Sequence, residues 1–369
     1  KYKDILKNQY IKAYEYSDCR VDDARLVVLN AMTARDHGAQ ILTRHKCTSA
    51  VREDNHWLIT LENANNHKSY TIKAKALVNA AGPWVDHIIN DVLKRNDKPL
   101  MRLVKGSHII VPKLYDHDHA YLLQGADQRI IFTIPYHGKY TLIGTTDIDY
   151  KGSLSDVMIS EDEIHYLCQM ASNYFKKPIM PEHVVNHYSG VRPIYNDGAN
   201  AAQEAKRDFV LKLDGEENQP PLLNIIGGKI TTYRVLSEKA CKLLKPYFPK
   251  MTENWTATSP LPGGDFDFDQ FADIQQKLAE DYPYLKIELI ERYMRTYGTK
   301  AREVLKHVKS LSDMGHDFGA GLYEVEAQYL KQHEWAITAD DILWRRTKLG
   351  FDINKDQRGA LIHWLSSMI

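Results

Sequence analysis

The period of the hydrophobic pattern changes near residue 250, and no other feature of this chain constrains its fold as much. Pro249, Pro260, Pro262, Gly263 and Gly264 crowd the stretch between Pro249 and Phe268, which is the composition of a connector. Before that stretch, short runs rich in β-branched and aromatic residues are interleaved with helical ones; after it, only the 3.6-residue helical period continues. This pattern predicts a mixed α/β (α+β) domain over residues 1–248, a linker over 249–268 and an all-helical domain over 269–369.

Within the first part, a helix beginning around Val21–Leu29 is predicted to end near Gly38, where glycine can take the left-handed conformation. Alternating segments at Ala39–Leu42, Lys46–Val51 and Trp57–Leu61 predict a small strand meander. Ala76–Asn79 reads as a buried strand entering the turn Ala80-Ala81-Gly82-Pro83, with Pro83 suited to the first position of a helix. Ser107–Val111, Ile130–Ile134 and Thr141–Thr145 predict a second sheet region, and Val184–Tyr188 and Phe209–Leu213 are also strand-like. A Ser160-x-x-Glu163 capping box opens a helix that sets Ile164, Leu167, Cys168, Ala171 and Tyr174 at helical spacing. Leu222–Ile226 is a buried-type strand that stops at Gly227-Gly228 and feeds a helix over Thr231–Leu244. Beyond the linker, helices are predicted over Phe271–Ala279, Ile287–Tyr297, Ala301–Val308, Tyr323–Glu334, Thr338–Lys348 and Asn354–Met368, with Trp344-Arg345-Arg346 as a solvated face.

Several functional classes are disfavoured. Lys plus Arg and Asp plus Glu both number 48, so the net charge is zero and the basic footprint of a nucleic-acid binder is missing. Cys19, Cys47, Cys168 and Cys241 are too scattered to suggest a disulfide framework or a zinc site, so no metal is expected and a reduced, cytoplasmic setting fits. No apolar run approaches the roughly 20 residues needed to cross a bilayer, which leaves peripheral membrane contact open. The start at Lys1-Tyr2-Lys3 carries neither an initiator Met nor a signal-peptide core, and reads as the start of a fragment.

Four constellations can carry chemistry. In Ile225–Arg234, a strand ending in Gly227-Gly228 and opening a helix at Thr231-Thr232 presents backbone N–H groups and a positive dipole end, and Lys229 adds a mobile cation; the same residues read equally as a plain turn with capping threonines. Arg192, between Gly190 and Pro193, and Arg207 could together grip a phosphate or carboxylate, since each guanidinium offers paired donors, or could be surface arginines. His108, in Lys105-Gly106-Ser107-His108, could take a proton from a substrate hydroxyl, although most of the sixteen histidines must be ordinary ones. Ile143–Asp147 either lines the same cleft or is a turn. Ala80, Ala81 and Gly82 let backbone approach a flat or phosphorylated ligand, or serve strand–helix packing.

Taken together, the chain resembles the FAD-dependent sn-glycerol-3-phosphate dehydrogenases of the aerobic respiratory type, in the D-amino-acid-oxidase-like flavoprotein superfamily. The marks are Glu15–Leu26, Val78-Asn79-Ala80-Ala81-Gly82-Pro83-Trp84-Val85, Lys105–His108, Ile143–Asp147, Tyr188–Pro193, Gly227–Arg234, His333-Glu334-Trp335 and Ala339–Thr347, and they run along essentially the whole chain. The resemblance implies an FAD-linked oxidoreductase fold with an antiparallel substrate-domain sheet, followed by an all-helical C-terminal domain. It implies oxidation of glycerol 3-phosphate to dihydroxyacetone phosphate, with electrons passing through FAD to membrane quinone. It also implies peripheral attachment to the inner face of the cell membrane and is compatible with a homodimer.

Carried over residue by residue, the resemblance makes Arg192 and Arg207 ligands of the substrate phosphate, His108 the group near the reacting hydroxyl, and Lys229 a neighbour of both flavin and substrate. Gly228, Thr231 and Thr232 would face the flavin, Ala81 and Gly82 would approach the dinucleotide, and Cys47 would use its backbone on the adenine. One departure is plain: the Gly-x-Gly-x-x-Gly turn and the His-Gly-Gly-x-Arg-Tyr segment with which the family opens are not found. The chain therefore reads as the C-terminal portion of such an enzyme, with its cofactor site incomplete and no expectation that it is active alone. Two alternatives stand beside this reading: an amino-acid or amine oxidase of the same superfamily, and a folded, non-catalytic portion that serves assembly or membrane docking.

Overall fold

In chain order the elements are helix α1 (Asp23–Asp36), strands β1 (His45–Arg52), β2 (Trp57–Asn63), β3 (Ser69–Ala74), β4 (Leu77–Asn79), β5 (Met101–Pro112), β6 (Tyr121–Gln124), β7 (Ile130–Tyr136), β8 (Tyr140–Gly144) and β9 (Ile148–Asp149), then helix α2 (Glu161–Tyr174) and strands β10 (Asn186–Tyr195), β11 (Val210–Asp214) and β12 (Leu222–Ile226). Helices α3 (Tyr233–Leu244), α4 (Phe271–Asp281), α5 (Ile287–Tyr297), α6 (Glu324–His333) and α7 (Lys355–Ser367) complete the chain. The structure is a computed structural model and describes residues 5–196, 208–215 and 219–367. It divides into two units, the first taking in the chain up to Ser17 and from Arg44 to Glu253, the second Asp18–Thr43 and everything from Asn254 onward.

The first unit holds three sheets. The largest runs β10-β5-β8-β7-β6, all antiparallel, with β9 also on β5. Alternation along β5 sends Ile109 and Val111 toward α2, where they join Ile131, Ile143, Leu167, Cys168 and Ala171 in a core. Burial pushes the Cys168 thiol up to about 11, which makes it an inert packing residue. The Ser160 cap that starts α2 is the predicted capping box, with Glu163 as its second partner.

A second sheet, β1-β2-β3, packs Ala50, Trp57 and Ile59 with Val92 and Leu222. The meander predicted here shifts by one strand: Ala39–Leu42 is not a strand, and Ser69–Ala74 supplies the third one. Most of β3 is exposed, so it carries no apolar alternation to read. The third sheet is β11-β12-β4, in which β12 and β4 are parallel and β11 antiparallel. Leu222, Leu223 and Ile226 are fully buried in it.

The second unit is helical, and α1 belongs to it, an association that the division at residues 249–268 does not include. Asp22 caps α1 by accepting from the Arg25 backbone N–H. The Arg25 side chain then pairs with Glu334, donates to the Thr296 carbonyl at 3.2 Å and lies over the Tyr297 ring. A second buried pair joins Arg292 to both oxygens of Glu326 at 2.7 and 2.6 Å, and Tyr297 donates its hydroxyl to the same carboxylate at 2.6 Å. Burial disfavours the Arg292 charge, yet Glu326 outweighs it and the guanidinium is held firmly protonated.

The Trp344-Arg345-Arg346 segment is not the solvated face expected of it. Arg346 donates to the Glu334 carbonyl at 3.1 and 2.6 Å, while Trp344 covers Gly350 and meets Phe351 edge-on; only Arg345 points to solvent. Here Asp341–Arg346 winds as a π-helix, and the helix predicted over Ala301–Val308 is regular only to Val304.

Candidate active site

The parallel pair β4 and β12 runs in register, Leu77 beside Leu222 and Asn79 beside Asn224, so both strands end on the same side. Asn79 clamps that end: its amide donates to Asn224 Oδ1 at 2.9 Å and to the Val85 carbonyl at 3.1 Å. Both strands then leave through glycines in the left-handed region, Gly82 at φ 55° on one and Gly227 and Gly228 at φ 71° and 103° on the other. At Gly227 a Cβ would stand 3.2 Å from the Asp208 carbonyl and 3.4 Å from that of Pro193, so the turn presses against the end of β10. Lys229 follows in extended conformation, and a 3₁₀ turn over Ile230–Thr232 leads into α3.

No side chain caps α3. The Thr232 hydroxyl donates back to the Lys229 carbonyl at 3.0 Å, and Gly228, Lys229, Ile230 and Thr231 are exposed. The start of this helix therefore presents N–H groups and a positive dipole end to the outside. Two strand ends, two glycine turns and an uncapped helix start meet here, the arrangement in which α/β folds bind nucleotides. The structure thus sets Ala81, Gly82, Gly228, Lys229, Thr231 and Thr232 around adjacent strand ends.

The second half of the site lies on β5, β10 and the turn after β8. Register pairs His108 with Tyr188, Gly106 with Gly190 and Val104 with Arg192. The His108 and Tyr188 rings stack, with centroids 4.8 Å apart and 11° between planes. His108 also leans over Gly144, where any Cβ would collide with the imidazole. Arg192 reaches across Gly106: a Cβ there would lie 2.9 Å from Arg192 Nη2 and 2.7 Å from Thr145 Oγ1. The guanidinium pairs with Asp147 and donates from Nη2 to Thr145 Oγ1 at 3.1 Å. Of the cross-strand glycines, Gly106 is covered by Arg192 and Thr145, whereas nothing lies within 4 Å of where a Gly190 Cβ would be, which leaves an open strip beside the His108–Tyr188 stack.

Alternation separates the Lys105–His108 motif into two faces. Gly106 and His108 share the face of Arg192, whereas Lys105 and Ser107 turn toward α2 and meet Glu163 at 2.7 and 2.8 Å. Thr146 Oγ1 donates to the same carboxylate at 2.8 Å and accepts from the Ser107 N–H at 2.9 Å. Burial works against the Glu163 charge, but Lys105, the Ser160 N–H, Ser107 and Thr146 together hold its carboxyl down at about 2.

Cys47 lies on β1, the edge strand of the small sheet, beside a bulge between Cys47 and Ser49, and its half-buried thiol is pushed up by burial. Arg207 lies outside the described residues. Glu163, Tyr188, Asn79, Gly106 and Gly190 are not singled out as site residues by the sequence, whereas Gly144 and Asp147 lie in the segment offered as a cleft lining or a turn. The signals were partial: Glu163 was visible as a capping-box residue, and Asp147 stood in a segment that read equally as a turn.

Two family models match the chain. Residues 3–234 match the family described as "FAD dependent oxidoreductase", and residues 254–368 match the "C-terminal domain of alpha-glycerophosphate oxidase". A glycerol-3-phosphate dehydrogenase of Pseudomonas aeruginosa is 46% identical over 98% of this chain and 70% of its own length. An aerobic glycerol-3-phosphate dehydrogenase of Escherichia coli is 43% identical, and a D-erythritol 1-phosphate dehydrogenase of Brucella abortus 44%; each match covers 98% of this chain and 72% of the relative. Among solved structures, the glycerol-3-phosphate dehydrogenase of Bacillus halodurans, complexed with FAD, superposes with a TM-score of 0.75 at 23% identity, over 94% of this chain and 73% of that one. The fold and the resemblance expected from the motifs agree with these matches, and the chain belongs to the FAD-dependent oxidoreductase family, among the relatives of the glycerol-3-phosphate dehydrogenases.

Proposed function

We propose that this protein oxidises sn-glycerol 3-phosphate to dihydroxyacetone phosphate and delivers the electrons to membrane quinone. The observation that carries the reading is the open space over Gly190, with the Arg192 guanidinium, lying over Gly106, on one side of it and the His108–Tyr188 stack on the other. Arg192 and Tyr188 are four residues apart on β10, about 13 Å of strand, before their side chains lean inward. A small phosphorylated polyol lying along the strip would meet a guanidinium with its phosphate and an imidazole with its hydroxyl.

In this oxidation the C2 hydroxyl loses its proton and the C2–H bond gives up its hydrogen with both electrons. Bound FAD supplies the two-electron acceptor. His108 takes the hydroxyl proton, and its stacking on Tyr188 keeps the ring plane fixed while it does so. Arg192 binds the phosphate, its orientation set beforehand by Asp147 and Thr145, so little side-chain freedom is lost on binding. Arg207 is the second phosphate ligand in this reading.

The residues present fit the cofactor. Asn79 Oδ1 is buried at the clamped strand ends with no hydrogen-bond partner among the described residues, and the exposed N–H groups at the start of α3 suit an electron-rich ring edge. Gly228, Lys229, Thr231 and Thr232 would hold the ring end, Ala81 and Gly82 the dinucleotide, and the Cys47 backbone the adenine. A positive helix end favours the negative charge that accompanies reduction. Because quinones reside in the bilayer, the electron route requires membrane contact, which this reading puts on the inner face of the cell membrane, from the cytoplasm, as the family resemblance implies.

The test is turnover by the FAD-loaded enzyme of glycerol 3-phosphate and D-erythritol 1-phosphate against glycine, sarcosine and D-amino acids, with a quinone analogue as acceptor. Preference for an amine overturns the reading. Arg192→Lys keeps the charge and loses the fork, and should raise KM for glycerol 3-phosphate roughly 10–100-fold, as expected for losing a charge-assisted bond. An unchanged KM would remove Arg192 from the phosphate site.

A further inference from the structure

We infer that Glu163 is a positioning residue for the substrate-phosphate grip, acting through Thr146 and Ser107 from the opposite face of the sheet. The inference rests on the phosphate role proposed for Arg192. A capping-box glutamate needs one bond, from its carboxylate to the N-cap N–H, and Glu163 has that bond to Ser160 at 2.9 Å. The Ser160 hydroxyl adds a second bond to Oε2 at 3.1 Å, and the remaining contacts leave the cap. Oε1 accepts from Ser107 Oγ and Thr146 Oγ1, both at 2.8 Å, and Oε2 pairs with Lys105 Nζ at 2.7 Å. Ser107 also bonds Ser189 on β10 at 2.9 Å. One carboxylate, 3% exposed, thus fastens the β5 strand, the β10 strand and the turn after β8 together.

That turn has two sides. Thr146 faces Glu163, while Thr145 and Asp147, its sequence neighbours, hold the Arg192 guanidinium. Displacing Thr146 must displace at least one of them, because the three are consecutive. Ser107 likewise stands between Gly106, over which Arg192 lies, and His108. The carboxylate touches neither Arg192 nor His108, yet it sets the backbone from which both are held.

Glu163→Gln is nearly isosteric and can still accept from the Ser160 N–H, but its amide group donates where Oε1 or Oε2 accepted. In the FAD-loaded enzyme it should raise KM for glycerol 3-phosphate about tenfold with kcat changed less than twofold, the effect of a loosened charge-assisted contact. The inhibition constant of inorganic phosphate, which has no hydroxyl to oxidise, should rise by the same factor. Thr146→Val, which removes only the hydroxyl link, should give a similar rise, and the double variant should fall well short of the product of the two. Ser160→Ala breaks the cap and the hydroxyl bond to Oε2 but keeps the Ser160 N–H, Ser107, Thr146 and Lys105 on the carboxylate; it should lower the Tm and leave KM unchanged.

If Glu163 is only a structural cap, Glu163→Gln and Ser160→Ala will both lower the Tm and neither will move KM or the phosphate constant. That outcome overturns the inference, as does a fully additive double variant. If the wild-type enzyme does not turn over glycerol 3-phosphate at all, the functional reading fails first, and the Kd of inorganic phosphate measured by calorimetry still reports on the grip.

Discussion

Replacing Arg25 by Met should cost the helical unit far more than the loss of any surface ion pair. Arg25 keeps 9% of its side-chain surface and Glu334 none, so the pair is out of water. One oxygen of Glu334 is held by Arg25, and the other is buried with no hydrogen-bond partner among the described residues. Removing the guanidinium leaves an uncompensated buried carboxylate, which costs about 3–5 kcal/mol. The methionine keeps most of the aliphatic volume, so little of that penalty is a cavity. For a unit of this size about 3 °C of Tm goes with each kcal/mol, which puts the loss near 10–15 °C.

The comparison is Glu291→Gln, which breaks the exposed i,i+4 pair with Arg295 and should cost no more than about 0.5 kcal/mol. Urea unfolding followed by circular dichroism measures both, and amide exchange over Asp23–Asp36 shows whether α1 is released. Arg25→Met/Glu334→Met should recover most of the loss, because it removes both charges together. A cost below about 1 kcal/mol for Arg25→Met would refute the reasoning, since it would mean that the pair is solvated or that Glu334 is satisfied by another route.

Two further outcomes follow from the first unit. Glu163 has its folded-state pKa lowered from 4.5 to about 2, so its contribution is complete above the unfolded value and disappears as pH falls from about 5 toward 2. The whole shift corresponds to about 3 kcal/mol, of which about 2 kcal/mol is lost between pH 6 and pH 3, so the stability difference between wild type and Glu163→Gln should shrink by about 2 kcal/mol over that range; a flat difference in urea unfolding would contradict it. Gly190→Ala should leave stability unchanged or raise it by about 0.5 kcal/mol, because its φ is unstrained and the Cβ enters open space. The same methyl narrows the strip proposed for the substrate and should raise KM for glycerol 3-phosphate by about tenfold or more, given the steric cost of overpacking a tight contact. Equal KM values would show that the ligand does not lie on Gly190.

Much of this architecture was legible in the sequence because it is written in local signals. The Gly227-Gly228 turn, the Ser160 cap and the helical tail each depend on residues within one turn or strand of one another. What stayed hidden depends on pairing. Ser107 and His108 are neighbours in sequence and on opposite faces in the sheet, and only the register with β10 tells which of them shares a face with Arg192. Arg25 and Glu334 each belonged to a recognised motif, yet 309 positions separate them and nothing local announces the pair. Trp344-Arg345-Arg346 was misread for the same reason, since a guanidinium that bonds the Glu334 carbonyl looks in sequence like any surface arginine.

The glycines show how far such reading can reach. Gly227 and Gly228 are visible as a turn because a doublet after an apolar run has a local meaning, a backbone in the left-handed region. Gly106, Gly144 and Gly190 have no such meaning, since none of them carries a positive φ. Their absence of a side chain matters only to another strand: Gly144 makes room for His108, Gly106 for Arg192, and Gly190 for the open strip between them. A glycine in the interior of a strand weakens it, and Gly106 and Gly190 in paired strands, with Gly144 ending β8 beside them, need a compensating tie. The Glu163 network provides one from the opposite face, where Ser107 and Thr146, each beside one of these glycines or one residue away in the turn, are fastened to a single buried carboxylate. The open face and the tied face are therefore two consequences of one design: the sheet gives up side chains where a ligand must approach, and recovers rigidity on the side where none does.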